Sequence, residues 1–306
     1  MRIFYIGRFD HIWHEEQIAR SFESLGHEVE RCNATSSDAV RLIDRIDKFN
    51  PDFVLFAKLN IHGDKVEFMR TLKRKGIFTV CWVFDLYIGY ERERYMKTMV
   101  YFNADMVFTT DGGHQKEFEE KGINHYLLRQ GIYDKEAYIK KGDLKYGVIF
   151  VGTKNIVYEY RTKIMQRLQQ TVELVWFGRD NSEEIRSHEL NELYGQTKIV
   201  MGDSVYSDGY WSNRIYETLG RGGFLIHPMV RGLEKEFEPY KHFVPYERGD
   251  YGSLYKIIKY YLKNDDARDE IRLAGHEFCK KHYTYKIRCQ ELITQVNIGI
   301  KELRKA

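Results

Sequence analysis

The chain contains 306 residues, of which 43% are hydrophobic and 30% charged. This balance of hydrophobic and charged residues excludes a disordered or membrane-embedded protein. A formal net charge of +3 is too small to predict nucleic-acid binding through charge alone. The N-terminal sequence MRIFYIG has neither a basic leader nor a long apolar stretch, so we expect a cytoplasmic protein without a transmembrane segment. Four widely spaced cysteines favour buried thiols over disulfides or a zinc site.

Short apolar runs alternate with amphipathic stretches along the first half of the chain. Six runs predict strands: RIFYIG, HEVERC, PDFVLFA, GIFTVCWVFD, ADMVFTT and INHYLLR. Helical periodicity lies between them, near residues 12–25, 38–49, 65–75, 91–102 and 115–121. Alternation of strands and helices predicts a parallel sheet that is covered by helices on both faces.

A polar, charged stretch at residues 133–145 predicts a linker, after which the same alternation resumes. Five further strands are predicted in YGVIFVG, VELVWFG, KIVMGDS, GFLIHP and HFVPY. The helices of this half are predicted near residues 158–168, 187–194, 212–221, 251–263, 266–281 and 285–304. We therefore expect an α/β protein with two doubly wound domains and a binding cleft between the carboxyl ends of their sheets.

The segment SDGYWSNRIYETLGRGGFLIHP, residues 207–228, is the most informative for function. Ser212 can cap a helix that has Asn213 and Arg214 in its first turn and Glu217 one turn later. Free backbone N–H groups and an arginine favour a diphosphate, and the carboxylate can accept hydrogen bonds from the vicinal hydroxyls of a ribose. The alternative is an ordinary helix with a solvated Arg214–Glu217 pair.

This segment resembles the donor-binding motif of GT-B glycosyltransferases of the group 1 (family 4) type, especially the CgeB-like branch. The matching pattern is S-x-R-x-x-E, here Ser212, Arg214 and Glu217, followed by GRGGFLIHP. The resemblance covers most of the chain and implies two Rossmann-like domains that face a cleft. It implies an acceptor-binding domain at residues 1–140, a nucleotide-sugar-binding domain at 145–284, and a C-terminal helix at 285–306 that packs back on the first domain.

The resemblance also implies further donor contacts. YGVIFVG followed by TKN is similar to the first strand and loop of the family's C-terminal domain, where cationic side chains meet the donor phosphates. By that match Lys154 and Arg161 are candidates, and Gly152 permits close backbone approach. Gly7 and Arg8 follow the first strand and are also predicted to contact the donor. Solvated loop charges are the alternative interpretation of the two cations Lys154 and Arg161.

Candidate catalytic groups follow strands of the first half. Asp85 ends the apolar run TVCWVFD, where it can remove the proton of an acceptor hydroxyl, or orient the acceptor and stabilise developing positive charge. A helix N-cap or turn carboxylate is the alternative. His11 and His14 can act as a catalytic base or be surface histidines at a helix start. The loop at residues 111–114, DGGH, is predicted to face the same cleft, although its glycines suit a simple turn.

Two departures from the family pattern leave the transferred sugar and the stereochemical outcome open. The wider family often has a glutamate eight positions before Glu217, where this chain has Gly209, and many relatives have histidine where this chain has Phe84. No acidic DxD-like pair follows a strand, so we expect neither a metal nor a cofactor, with a nucleotide diphosphate sugar as donor substrate.

The sequence thus predicts a metal-independent glycosyltransferase that moves a sugar from a nucleotide diphosphate sugar to an acceptor hydroxyl. The acceptor is expected to be a glycan, a lipid-linked saccharide or another hydroxyl compound, and nucleic acid is expected only as an acceptor. Two alternatives remain, namely a glycosyltransferase that acts on a modified DNA base and a nucleotide-binding module without catalysis.

Overall fold

The computed structural model describes residues 1–9, 14–153, 159–178 and 185–305. The chain divides into two compact units. The N-terminal unit comprises Met1–Tyr133 together with Tyr285–Ala306, and the C-terminal unit comprises Asp134–Thr284. Each unit contains a parallel sheet with helices around it, which confirms the predicted α/β class.

Six parallel strands form the described sheet of the N-terminal unit, in the order β2-β1-β3-β4-β5-β6. They are Arg2–Gly7 (β1), Glu28–Asn33 (β2), Phe53–Phe56 (β3), Phe78–Val83 (β4), Met106–Thr109 (β5) and His125–Leu127 (β6). Every residue of β3, β4 and β5 is buried, because both faces of a parallel sheet are covered. This explains why these strands appear in the sequence as continuous apolar runs.

The helices of the N-terminal unit are His14–Ser24 (α1), Ala39–Phe49 (α2), Lys65–Arg74 (α3), Gln115–Glu120 (α4) and, from the end of the chain, Tyr285–Leu303 (α10). Asp38 and Asp64 accept backbone hydrogen bonds at the first turns of α2 and α3. The helix predicted at residues 91–102 is wrong, since Glu91–Thr98 and Val100–Asn103 are 3₁₀ turns. Only Met96 is buried in the first of these turns, so little tertiary packing stabilises a regular α-helix there.

Five parallel strands form the described sheet of the C-terminal unit, in the order β11-β10-β9-β7-β8. They are Tyr146–Val151 (β7), Val175–Phe177 (β8), Thr197–Met201 (β9), Leu225–Pro228 (β10) and Val244–Tyr246 (β11). The helices are Glu159–Val172 (α5), His188–Gly195 (α6), Arg214–Gly220 (α7), Tyr251–Lys263 (α8) and Asp265–His282 (α9). Close packing fixes α9, because a Cβ added at Gly275 would lie 2.3 Å from the carbonyl oxygen of His242.

The helix α10 packs within the N-terminal unit. Leu292 and Val296 are fully buried there, and the thiol of Cys289 lies 3.7 Å from the carbonyl oxygen of Ile18 in α1. All four cysteines are buried free thiols. Among the described helices, none combines the length and the apolar character that a membrane span requires.

Candidate active site

The first part of the candidate site lies where β7 ends, in the C-terminal unit. Two arginines flank the ring of Phe150, with the Arg214 guanidinium carbon 5.4 Å and that of Arg161 5.7 Å from the ring centroid. Arg214 also donates a hydrogen bond from Nε to the carbonyl oxygen of Val151, at 3.0 Å. The first residue of α7 is therefore tied to the end of β7, which concentrates positive charge at this edge of the sheet.

Gly152 leaves room for this arrangement. A Cβ at position 152 would lie 2.6 Å from Arg214 Nη2 and 2.9 Å from the ring of Phe150. The Gly152 carbonyl oxygen accepts a hydrogen bond from Trp176 Nε1 at 2.7 Å. A larger side chain at position 152 would displace Arg214, so packing alone requires the glycine.

Arg161 and Asp203 form a buried ion pair. Nε of Arg161 donates to Oδ2 of Asp203 at 2.6 Å, and the two side chains are only 5% and 3% exposed. This pair joins α5 to the residues that follow β9. It gives Arg161 a structural role, while its predicted contact with donor phosphates stays a prediction.

Ser212 does not cap α7, contrary to the prediction. Its hydroxyl donates to the carbonyl oxygen of Asp203 at 2.8 Å, and the helix begins at Arg214. Asn213 precedes the helix with φ −59° and ψ −15°, which is helical backbone, and its side chain makes no capping bond. A capping residue needs extended backbone to reach the next N–H groups, so neither residue caps the helix.

Glu217 belongs to a buried network of charges. Its Oε2 atom pairs with Nη1 of Arg221, and Nη2 of Arg221 pairs with Glu136. Nε of Arg221 donates to Oδ1 of Asn191 at 3.1 Å. The solvated Arg214–Glu217 pair is therefore not formed, because Glu217 is buried and bonded to Arg221.

The other carboxylate oxygen of Glu217, Oε1, is buried and has no hydrogen-bond partner among the described residues. An ionised carboxylate oxygen without a donor is costly in a protein interior. A ligand that brings a donor to Oε1 removes this cost, which makes Glu217 a candidate binding residue.

Further buried polar atoms lie at the carboxyl ends of β9, β10 and β11. Within the described residues, Oδ1 of Asp203, Oγ of Ser204, Nε2 of His227 and the hydroxyl of Tyr246 have no hydrogen-bond partner. Burial lowers the pKa of His227 to about 4 and raises that of Tyr246. His227 is therefore neutral at physiological pH.

In the N-terminal unit, Asp85 lies just beyond the end of β4 with 41% of its side chain exposed. Its carboxylate pairs with Lys58 and lies 3.8 Å from Nη1 of Arg92. Burial acts to lower the pKa of Lys58, but the charge of Asp85 and the hydrogen bond to it together outweigh burial, and the pKa is raised. Asp85 is thus an ion-paired carboxylate at the carboxyl edge of the sheet.

His14 begins α1 and lies close to the same strand end. Its Nδ1 atom is 3.0 Å from the hydroxyl of Tyr285, and its ring centroid is 6.2 Å from that of Phe84. The structure thus brings His14 near the residue that precedes Asp85.

The remaining predicted residues divide between described and undescribed parts of the chain. Gly7 ends β1, where an added Cβ would lie 3.1 Å from Cγ of Glu15, and Arg8 is exposed. His11 and Lys154 lie outside the described residues.

The two departures from the family pattern have structural counterparts. Gly209, at the position of the missing glutamate, has φ +67°, a backbone conformation that favours glycine. Phe84, at the position of the missing histidine, packs edge-on against Trp82, with ring centroids 5.1 Å apart. Both residues therefore fit their local backbone and packing.

Sequence reasoning missed Asp203 and gave little weight to Asp111 and His114. Asp203 is the first charged residue after β9 in KIVMGDS, and that position was the available signal. Asp111 is 1% exposed, and both its carboxylate oxygens lie 3.0 Å from Nδ1 of His114. The spacing D-x-x-H directly after a strand was the signal for this pair.

A protein-family model described as "Glycosyl transferase-like" matches residues 150–294, so this part of the chain is a glycosyl transferase-like domain. No curated protein matches the chain. A glycosyltransferase from Rickettsia africae superposes with a TM-score of 0.67 at 11% identity, over 98% of each chain. Sucrose-phosphate synthase from Thermosynechococcus elongatus gives 0.67 at 12% identity, over 97% of this chain and 98% of that chain.

A third similar structure is HepE from Anabaena in complex with UDP-glucose, with a TM-score of 0.66 and 10% identity over 97% of this chain and 99% of that chain. At such identities the likeness shows the fold, which is GT-B with two Rossmann-like domains. The fold and the matched domain together define an enzyme of the glycosyltransferase class. Within that class, the matched domain and the fold resemble those of the group 1 GT-B type.

Proposed function

We propose that this enzyme transfers a sugar from a nucleotide diphosphate sugar to an acceptor hydroxyl without a metal ion. The observation that carries the proposal is the buried oxygen Oε1 of Glu217, which lacks a partner among the described residues and follows the tethered Arg214 by three positions. The match over residues 150–294 includes both residues. HepE, a structural neighbour, is known in complex with UDP-glucose, which is a donor of the proposed class.

In this proposal Glu217 accepts hydrogen bonds from the ribose hydroxyls through Oε1, while Arg221 holds Oε2. Because Oε1 is buried in the free protein, the groups that cover it must move when the nucleoside binds. Arg214 and Lys154 would balance the charge of the leaving diphosphate, which is why no metal is required. Gly152 leaves the space that Arg214 occupies.

Other predicted donor contacts are part of the same proposal. Ser212 and Asn213 immediately precede Arg214 and would approach the diphosphate with it. Arg161 would contribute its charge while it remains paired with Asp203. Gly7 and Arg8 stay predictions.

The acceptor is proposed to bind residues 1–140, with Asp85 as the carboxylate that orients it. This role suits Asp85 because its charge is already shared with Lys58 and Arg92. His11 and His14 stay alternative proton acceptors. We place the enzyme in the CgeB-like branch on its S-x-R-x-x-E motif, and in the cytoplasm because its buried free thiols suit a reducing compartment.

The decisive experiment is a thermal-shift panel of UDP, GDP, ADP, dTDP and CDP against the wild type, Glu217→Gln and Glu136→Gln. A nucleotide present at 100 times its dissociation constant adds about 2.7 kcal/mol to the free energy of unfolding. Glu136→Gln is the matched control, since both carboxylates bind the same guanidinium of Arg221. Loss of a charged hydrogen bond, about 1.5–3 kcal/mol, predicts about 10- to 150-fold weaker nucleotide binding in Glu217→Gln only.

Equal losses in the two variants would show that binding depends on the position of Arg221, and would refute the ribose contact. Stabilisation by no nucleotide would refute the proposed donor class. Nucleotide binding without release of nucleoside diphosphate from any nucleotide sugar would indicate the non-catalytic binding module. Turnover that is abolished by EDTA and restored by a divalent cation would contradict metal independence.

A further inference from the structure

The pair formed by Asp111 and His114 at the end of β5 has no part in the function proposed above. Nδ1 of His114 lies 3.0 Å from both carboxylate oxygens of Asp111, and the backbone N–H of Gly113 donates to Oδ1 at 3.1 Å. Asp111 is almost fully buried, whereas 22% of the His114 side chain is exposed. The buried carboxylate thus holds an imidazole that reaches solvent.

A chain of buried hydrogen bonds fixes the backbone of Asp111. Its N–H donates to Oγ1 of Thr109 at 3.1 Å, and Oγ1 lies 2.7 Å from Nε2 of His125. Nδ1 of His125 in turn contacts Oε1 of Gln115. Because an amide oxygen only accepts, His125 donates through Nδ1 to Gln115, and Nε2 of the neutral ring then accepts the proton of the Thr109 hydroxyl.

This assignment requires a neutral His125. Burial lowers the pKa of His125 to about 4, so the ring is neutral near pH 7. The ring also stacks on Phe118, with centroids 4.1 Å apart and planes 6° from parallel. Two separate interactions therefore hold His125, and through Thr109 the position of Asp111 is fixed before any ligand binds.

The Asp111 carboxylate determines which nitrogen of His114 carries the proton. A carboxylate only accepts hydrogen bonds, so Nδ1 of the neutral ring is protonated and Nε2 bears the lone pair. Nε2 of His114 has no hydrogen-bond partner among the described residues. The ring is thus arranged to accept a proton at Nε2.

The pair lies at the same sheet edge as Asp85. Strands β4 and β5 are neighbours, with Val83 opposite Thr109, and the next residues are joined by a hydrogen bond from Thr110 Oγ1 to the Phe84 carbonyl oxygen at 3.2 Å. Asp85 directly follows Phe84 and Asp111 directly follows Thr110, so the two carboxylates come after neighbouring, hydrogen-bonded residues. Asp85 is paired with two cations, whereas His114 is paired with a carboxylate.

We propose that His114 is the catalytic base and that Asp111 is the residue that positions it, an inference that rests on the proposed glycosyl transfer. Nε2 takes the proton of the acceptor hydroxyl as its oxygen forms a bond to the anomeric carbon. The bond from that carbon to the diphosphate oxygen breaks, and the nucleoside diphosphate leaves with the electron pair. Asp111 stabilises the imidazolium and does not take the proton itself.

The charges around the pair determine how its activity varies with pH. Glu93 and Lys121 lie on the His114 side and are paired with each other at 2.9 Å, and Arg129 acts on Asp111. Burial raises the pKa of Asp111, and the bond to His114 counteracts this rise. The Asp111 carboxylate stabilises the imidazolium that forms as the proton is taken, so its removal is expected to change how the rate varies with pH.

The test measures release of nucleoside diphosphate from UDP-glucose, UDP-galactose, UDP-N-acetylglucosamine, GDP-mannose, ADP-glucose and dTDP-glucose. Water and methyl β-glucoside serve as acceptor probes. The variants are His114→Gln, Asp111→Asn and the matched control His27→Gln, which changes a histidine of the same unit just before β2. Thermal melting with the stabilising nucleotide is recorded for each variant.

We expect His114→Gln to lower kcat by about 10²- to 10⁴-fold with the nucleotide-induced shift in melting temperature unchanged. The fall in rate below neutral pH should vanish in this variant, and in Asp111→Asn it should shift. His27→Gln should resemble the wild type.

Activity of His114→Gln within threefold of the wild type, or a retained acidic fall in rate, would overturn the assignment of the base while leaving the proposed function intact. An Asp111→Asn variant with a slower rate but an unshifted pH profile would overturn the positioning role. Absence of release by the wild type would refute glycosyl transfer from these donors, and the base assignment with it.

Discussion

Replacement of Asp203 by alanine should strongly destabilise the C-terminal unit, because it leaves the guanidinium of Arg161 buried without its carboxylate. The two side chains are 5% and 3% exposed and 2.6 Å apart. Removal of one partner from a buried pair costs about 3–5 kcal/mol. For a unit of about 150 residues, each kcal/mol lowers the melting temperature by about 2–4 °C, so we expect a fall of about 6–20 °C.

Differential scanning calorimetry measures this loss, and hydrogen-exchange mass spectrometry of peptides from β7 and β9 localises it. Lys241→Ala is the matched control in the same unit, since its pair with Glu238 is exposed and should contribute little to stability. The double variant Arg161→Met/Asp203→Leu should recover most of the stability, because apolar side chains of similar size can replace a buried pair.

A loss no larger than that of Lys241→Ala would refute the buried-pair reasoning. The double variant also separates the two roles of Arg161. If it is stable and still binds the nucleotide, Arg161 serves the structure alone. If it is stable and binding is lost, Arg161 contacts the donor as the sequence predicted.

Two further predictions follow from burial and close packing. The pKa of His227 is about 4 in the folded chain and about 6.5 when unfolded, so the unfolded chain binds more protons between these values. Urea unfolding should show that the free energy of unfolding falls by up to about 3 kcal/mol as the pH falls from 6.5 to 4. If the free energy of unfolding of His227→Gln depended on pH as steeply as that of the wild type, this reasoning would be contradicted. Gly152→Ala should displace Arg214 and cost about 1–3 kcal/mol by thermal melting. Gly147→Ala in β7, the strand that Gly152 follows, should be tolerated because the nearest atom is 3.5 Å away, and equal losses would refute the packing argument.

Much of the fold could be predicted from the sequence. The helix α8 was predicted with its observed bounds, Tyr251–Lys263, and each predicted strand run overlaps an observed strand. Burial on both faces of a parallel sheet makes such runs continuous and easy to recognise. The 3₁₀ turns at Glu91–Thr98 were missed because a helical pattern in the sequence does not show whether a core is available to pack against it.

The candidate site was predicted less completely. The motif gave Arg214 and Glu217 their positions on one helix, but it could not supply the partners of Glu217. Arg221 is four residues from Glu217, so the spacing along the sequence could have indicated this pair. Glu136, the second carboxylate that binds Arg221, is 85 residues from Arg221 and could not be identified in this way. The prediction that Ser212 caps α7 failed for a similar reason, because its hydroxyl donates to Asp203 nine residues earlier.

The sequence by itself determined the periodicity of the strands and helices, the α/β class and the location of the donor motif, because these depend on neighbouring residues. Only the tertiary structure decided which charges are neutralised and which polar atoms remain without partners. Arg161 became half of a buried pair through a residue 42 positions away, and Asp111 was fixed through His125 on another strand. Such pairings arise when strand ends that are distant in sequence meet at one edge of a sheet, and no local pattern encodes them.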